Sequence, residues 1–225
     1  MRPFQPLQVV ASYGCQPSDI FKYLERNLDW IEKRKRKWAR LVPPTPAQGH
    51  EGDLYWYMGS KLPLKFSVTL LQKPFVQILS FEEPTHRELR YFKTLPHRST
   101  SLSSARPEPS GVIHSAILQH LELAAETHLE KRVEYWSQQM NLQPKKLRFR
   151  NQKSRWGSCN SRGTISLNRK LIGAPAEVID SVVVHELAHL RHLNHSKDFW
   201  SLVENSVPNL KECEHWLERH SLALL

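Results

Sequence analysis

Apolar residues along the chain recur first in a short extended pattern, Leu7 to Ala11, and then at helical spacing, with Pro17 opening a helix through Ile20, Leu24, Leu28 and Ile31 that ends near Leu41. Val42 to Gly52 holds three prolines and two glycines and reads as a connecting loop. Leu54 to Met58 and Leu62 to Leu71, joined at Gly59-Ser60, form a hairpin pattern, and Phe75 to Phe81 adds another β-type run. Glu82 to Gly111 is rich in Pro, Ser and charge without clean periodicity, which predicts a long loop or linker. Val112 to Met140 carries Ile113, Ile117, Leu121, Ala124 and Ala125 at helical spacing, with Asn141 as its stop. Leu147 to Arg150 and Thr164 to Leu167 flank a turn region at Gly157 to Gly163 and predict a small antiparallel sheet. Three helices follow: one opened by Pro175, one after Asn194 that runs through Phe199, Trp200 and Val203 to Pro208, and a last one carrying Trp216 and Leu217. The expectation is an α+β protein with an N-terminal strand, helix and hairpin part over 1–81, a loop or linker over 82–111 and a second domain over 112–225.

The 225 residues are 40% hydrophobic and 24% charged, the mix of a globular chain rather than a disordered or collagenous one. Leu7 to Ala11 and Val182 to Val184, the longest apolar stretches, fall far short of the roughly 20 residues that span a bilayer, so no membrane association is expected. The first residues lack the apolar run of a secretory signal, and a short leading segment is expected to be missing. Three widely spaced cysteines, Cys15, Cys159 and Cys213, include no C-x-x-C pair; with the lack of a signal they point to the cytoplasm. Charge is unevenly spread. Between Lys145 and Lys170 stand nine basic residues and no acid, Lys33 to Lys37 is an unbroken basic run, and Glu177 onward holds eight acids against four bases. Such blocks attract phosphates, nucleic acid or acidic peptides when they are more than solvated faces.

The segment His185-Glu186-Leu187-Ala188-His189 carries the chemistry. Two histidines four apart lie on one helical face and can chelate one metal ion, with Glu186 at its border. Val178, Ile179, Val182, Val183 and Val184 make the preceding turns apolar, and polar groups on a buried helix require partners. A catalytic zinc takes three protein ligands and a water. His192 shares the face but lies about 10.5 Å up the axis, too far for a straight helix to bring to the same ion. His195, after a turn at Asn194, is the expected third ligand, with Glu204, Glu212 and Glu214 as alternatives. Three neutral imidazoles leave zinc its full charge, so a bound water becomes a usable nucleophile and Glu186 takes its proton as general base in peptide-bond hydrolysis.

Several runs together resemble the YgjP-like metallopeptidase family, distant kin of the SprT-like proteases and other small zincins: Arg150-Asn-Gln-Lys-Ser-Arg-Trp156-Gly-Ser-Cys159, Gly163-Thr-Ile-Ser-Leu-Asn168, Val182-Val-Val-His-Glu-Leu-Ala-His189 and Asn194-His-Ser-Lys-Asp-Phe-Trp200. The resemblance spans most of the chain and implies a zincin-like active-site helix, zinc on His185, His189 and His195, a catalytic Glu186, and a peptide or protein substrate. Ser181 stands where members often have Tyr, and Arg169 where they often have Trp. Candidate substrate contacts are Arg148, Arg150, Lys153, Arg155 and Asn168, and the Thr164 to Asn168 strand is a candidate for pairing with an extended substrate. Cys159 is expected to be a small buried residue, and Trp156-Gly157 a tight core turn. Two other functions fit the basic segments: hydrolysis of a nucleoside triphosphate held by Arg148, Arg150, Lys153 and Arg155, and a protease tethered to nucleic acid through Lys33 to Lys37.

Overall fold

The computed structural model describes residues 11, 14–39, 47–69, 73–80, 87–94 and 108–224. The strand expected at Leu7 to Ala11 falls outside them except for its last residue. The chain divides into two compact units, Met1–Thr45 and Pro46–Leu225. The first contains α1 (Pro17–Arg26) and α2 (Leu28–Ala39). The one helix expected here is interrupted at Asn27, which leaves helical geometry, and the side-chain amide of Asn27 donates back to the Tyr23 carbonyl at 2.8 Å. An Asn that bonds its own preceding turn competes with helix continuation. The Lys33 to Lys37 run lies on α2, where Lys33, Lys35 and Arg36 are exposed.

The second unit is α+β, as the periodicity predicts. Strands β1 (Leu54–Tyr57), β2 (Ser60–Thr69), β3 (Phe75–Ser80) and β4 (Arg87–Thr94) form a sheet of order β1-β2-β4-β3, with β4 parallel to β2 and antiparallel to β3. Strand β4 corrects the expectation of a loop or linker over 82–111 at residues 87–94, while 82–86 and 95–107 lie outside the described residues. β4 is an inner strand, yet only Leu89 and Tyr91 are apolar residues buried in it, and Glu88 is buried beside Arg90, its ion-pair partner. Leu89, Tyr91 and Phe92 among charges, the last two adjacent, give too little alternation to register as a strand.

Helix α3 (Ser110–Met140) is about 46 Å long and runs past two cores. Ile113, Ile117 and Leu121 pack with Tyr55, Leu62, Leu64, Leu89 and Tyr91 of the first sheet, while Ala125, Leu129, Val133 and Met140 belong to the larger core. With the buried Ser137, these residues recur every three or four positions and form one stripe along the helix. Because one helix serves both cores, the division expected at 82–111 is absent, and residues 46–225 cohere as a unit. Asn141 ends α3 in the left-handed conformation at φ 51°, as expected of an Asn stop.

The second sheet has the order β5-β7-β6, from β5 (Lys146–Arg150), β6 (Gly157–Cys159) and β7 (Thr164–Asn168). It is mixed rather than wholly antiparallel: β7 lies parallel to β5 and antiparallel to β6. The stretch expected to be only a turn supplies β6, a strand whose Gly-Ser-Cys sequence carries no β-type signal. Ile165 and Leu167 turn one face of the sheet to the large core, against α4 (Ala176–Ala188), α5 (Lys197–Ser206) and α6 (Leu210–Leu224).

The β1–β2 hairpin fixes the entry of α4. Met58 and Gly59 both have positive φ, 48° and 80°, the pairing that a tight two-residue turn requires. Their N–H groups donate to the carbonyls of Ile172 and Gly173, in the 3-10 segment Arg169–Gly173, at 2.6 and 3.0 Å. A Cβ on Gly59 would stand 2.8 Å from the ring of Pro175, so only glycine lets the turn close against the residue that opens α4. No described helix is long and apolar enough to cross a membrane.

Candidate metal centre

Nine of the thirteen residues of α4 are buried, because Val178, Ile179 and Val182–Val184 fill the core on all sides. Such a helix holds its polar residues rigidly. His185 and Glu186 lie in its last turn, and His189 is its C-cap. The helix stops earlier than the sequence implies. Leu190 N–H donates to the Leu187 carbonyl, and the N–H groups of Arg191 and His192 donate to the Ala188 carbonyl, all at 2.9–3.0 Å. These bonds carry a helical turn on to His192, and the chain then bends at Leu193 and Asn194, although Asn194 does not take the left-handed conformation expected of it; among described non-glycine residues only Met58 and Asn141 have positive φ.

The bend returns His195 to the helix. One ring nitrogen from each of His185, His189 and His195 lies within 4.8 Å of the others, and the Nε2 atoms of His185 and His195 are 3.2 Å apart. Ligands at 2.0–2.1 Å in a tetrahedral set stand about 3.3 Å apart, so this pair is spaced as two ligands of one ion are. His189 Nδ1 is 3.0 Å from the His192 carbonyl, which can only accept; Nδ1 therefore carries the proton and Nε2 offers its lone pair. His192 contributes this backbone oxygen, in keeping with its expected role as a neighbour rather than a ligand. Burial, with the charges His189 and His195 would carry, pushes the His185 pKa down to about 4, so the ring stays neutral near pH 7 and free to ligate.

Phe199 is the residue the sequence reading missed. Ser196 caps α5 by accepting the Phe199 N–H at 3.3 Å, which sets Phe199 at the third helical position. Its ring is fully buried, with centroids 5.0, 4.6 and 4.8 Å from those of His185, His189 and His195. One phenyl thus floors all three imidazoles, and Trp200 flanks His195 at 5.5 Å. The spacing of Phe199 three residues after Ser196, a standard cap residue, is the signal that could have found it. Phe199→Ala should lower folding stability by about 3–5 kcal/mol, measured as a fall in the denaturation midpoint of the metal-free protein.

Glu186 is buried, and burial pushes its pKa up to about 7, against an opposing pull from Arg155. Its Oε2 has no hydrogen-bond partner. A buried carboxylate oxygen left open is costly unless the site brings it a donor. The carboxylate packs on β6: a Cβ on Gly157 would stand 2.6 Å from both the Cγ and Oε1 of Glu186. Gly157 therefore makes the room Glu186 occupies, a role beyond the tight turn read from its motif. Three converging imidazoles and an open carboxylate fit a divalent metal with a water beside it.

The remaining candidates are dispersed. Asn168 is fully buried and has internal partners instead of an open face: its amide donates to the carbonyls of Gln152 and Arg155 at 2.8 and 2.9 Å, and its Oδ1 accepts the Lys170 N–H at 3.1 Å. It ties the loop before β6 to the sheet. Arg148 and Arg150 are exposed and alternate with Leu147 and Phe149, which pack on the core, so they stand on the sheet face turned away from α4. Strand β7 separates them from β6. Lys153 and Arg155 are exposed on the loop between β5 and β6. Strand β7 is paired on both sides and has no edge for a substrate; among the described residues the free edge beside Glu186 belongs to β6.

The two departures from the family pattern have structural partners: Ser181 is buried and its hydroxyl donates to the Val178 carbonyl at 2.8 Å, and Arg169 pairs with Glu126 of α3 at 2.6 Å. Cys159 is half-buried against the core, and burial, then the charge of Glu186, raises its thiol pKa.

A profile of the YgjP-like family, described as YgjP-like, metallopeptidase domain, matches residues 1–220. Among solved structures, the chain is similar to the metallopeptidase zymogen of Pyrococcus abyssi abylysin, at 28% identity over 40% of this chain and 90% of that one with a TM-score of 0.37. It is also similar to the metallopeptidase zymogen of Methanocaldococcus jannaschii jannalysin, at 19% identity over 40% and 94% of the two chains with the same TM-score, 0.37. No protein of curated function matches the chain.

Proposed function

Because the chain belongs to the YgjP-like metallopeptidase family and so is a metal-dependent peptidase, we propose that its metal is zinc, held by His185, His189 and His195, and that Glu186 is its general base. The observation that carries this reading is the convergence of three imidazoles, together with a buried carboxylate oxygen without a partner on the residue that follows His185 in the same helical turn. An all-imidazole set suits zinc better than the hard cations, which prefer oxygen ligands. When bound, zinc supplies Lewis acidity, bringing the pKa of its water toward about 7 and polarising a carbonyl.

The chain's own residues do the rest. His189 is fixed in its ligating tautomer by the His192 carbonyl, and the Phe199 ring keeps bulk water from the inner side of the three histidines. The carboxylate of Glu186 accepts a proton from the attacking water at its open oxygen and returns it to the leaving amine. The substrate lies extended along the free edge of β6, whose N–H and C=O groups offer it a strand's hydrogen bonds. Nucleotide hydrolysis gains little support, since Arg148 and Arg150 face away from α4 and leave only Lys153 and Arg155 to meet phosphates near the centre. The free thiols of Cys15, Cys159 and Cys213 support a reducing, cytoplasmic setting.

A peptide library tests the proposal. Cleavage by the purified protein should stop on chelation and return with one equivalent of zinc. Cleavage that survives complete metal removal, or an intact library beside rapid release of phosphate from nucleoside triphosphates, would overturn it.

A further inference from the structure

Arg155 differs from the other arginines around the core. Arg132 grips Asp180 through two hydrogen bonds at 2.6 and 2.7 Å, and Arg169 is held by Glu126. These are internal braces. Arg155 is exposed, and among the described residues it makes no ion pair within salt-bridge distance. No Asp or Glu occurs anywhere between Lys145 and Lys170, and Lys153, its near neighbour in the loop, adds positive charge. The acids of α3 that approach this region engage other residues: Glu122 takes the Asn151 amide and Glu126 takes Arg169.

Its backbone, by contrast, is anchored. The Arg155 carbonyl accepts from the amide of the fully buried Asn168, and the next carbonyl, that of Trp156, accepts the Asn168 backbone N–H at 2.8 Å. Gly157, two residues on, lies against the Glu186 carboxylate. The guanidinium is therefore presented from a pinned stem at the start of β6, near enough for its charge to act on Glu186 yet without a hydrogen bond to it.

We propose that Arg155 is a specificity-determining residue that binds a carboxylate of the substrate close to the scissile bond, so that this peptidase selects acidic polypeptides. This inference rests on the peptidase reading above. The carboxylate comes from an Asp or Glu side chain or from the substrate's C-terminus, and a guanidinium fork suits either with two parallel hydrogen bonds. An extended peptide on the β6 edge passes Arg155 on its way to Glu186, and each second side chain points to the same side. The surrounding cations reinforce the choice by raising the local concentration of acidic segments.

The test uses matched peptides in which Glu or Gln is scanned through each position, each made with a free and an amidated C-terminus. Cleavage is measured with the zinc-loaded wild type, Arg155→Gln, Arg155→Lys and Arg155→Glu. Binding of the same labelled peptides is measured with zinc-loaded Glu186→Gln, alone and combined with Arg155→Gln, which reads recognition without turnover. Carboxylate forms should be favoured about tenfold or more in kcat/KM over their amide counterparts. The position of the effect separates the side-chain from the C-terminal source. The preference should vanish in Arg155→Gln, survive in part in Arg155→Lys and turn toward Lys-bearing peptides in Arg155→Glu, with zinc content unchanged throughout. A charge preference in binding that depends on Arg155, found without cleavage of any peptide, would uphold Arg155 as the carboxylate-binding residue while sinking the peptidase reading and, with it, the placement beside a scissile bond. Equal handling of Glu and Gln forms and of both termini, or a preference unaltered in Arg155→Gln, would overturn the inference. So would Arg155-dependent binding of a DNA oligonucleotide by a protein indifferent to peptide charge.

Discussion

Glu186→Gln should keep one zinc per chain and lose about 10²–10⁴-fold in peptide turnover, the usual worth of a positioned general base. The substitution keeps the volume that Gly157 makes room for, so the packing of α4 on β6 persists. What it removes is the proton acceptor: the buried, partnerless Oε2 becomes either an amide oxygen of low basicity or a donor that cannot accept. Because Glu186 is not among the three converging nitrogens, metal analysis and turnover should separate in this variant. Loss of zinc together with activity would instead make Glu186 a ligand, and unchanged activity would remove it from the reaction.

His195→Ala should lose both zinc and activity, whereas His192→Ala should keep both. The contrast is large because the two histidines, three residues apart, serve the centre in different ways. His195 brings its Nε2 to 3.2 Å from that of His185, and without it two imidazoles on one helical turn hold the ion alone. That loss should exceed the roughly 10–100-fold that removal of an outer partner costs in metal affinity. His192 acts through its backbone carbonyl on His189, and an alanine presents the same carbonyl. Zinc titration against a competing chelator measures both variants. A His192→Ala protein that fails to bind zinc would mean the turn after His189 is held differently.

The metal helix was legible because its chemistry is local. Two histidines four apart on an apolar helix state their own geometry, and the axial rise that excludes His192 as a partner is a property of any helix. The third ligand could be named from spacing, but its route could not. The sequence suggested a left-handed turn at Asn194; the chain does bend at Leu193 and Asn194, but without positive φ, after a further helical turn held by the Leu187 and Ala188 carbonyls that leaves no compositional trace. Phe199 and Gly157 were hidden for another reason. Each matters through what it touches across the fold, the three rings in one case and the Glu186 carboxylate in the other, and neither contact follows from neighbours in sequence.

The sheets show the same division. The β1–β2 hairpin announced itself through Gly59, but its two-residue turn is Met58-Gly59, both with positive φ, rather than the expected Gly59-Ser60, since Ser60 already pairs with Tyr57. Strand β4 did not, since an inner strand whose buried apolar residues are only Leu89 and Tyr91 looks like polar linker until β2 and β3 flank it. The substrate-pairing role expected of β7 failed on topology: its apolar alternation was read correctly, but alternation is silent on which strands stand at the edges. Asn168 looked like a binding residue for the same reason, a polar side chain near the site whose partners, the carbonyls of Gln152 and Arg155, lie 16 and 13 residues away.

X-ray absorption at the zinc edge of the metal-loaded protein reads the ligand set itself. One tightly held zinc per chain is expected, with three imidazole nitrogens and one oxygen in its shell at about 2.0–2.1 Å. A shell containing sulfur from Cys159, or fewer than three imidazoles, or a protein that takes up no stoichiometric zinc at all, would contradict it.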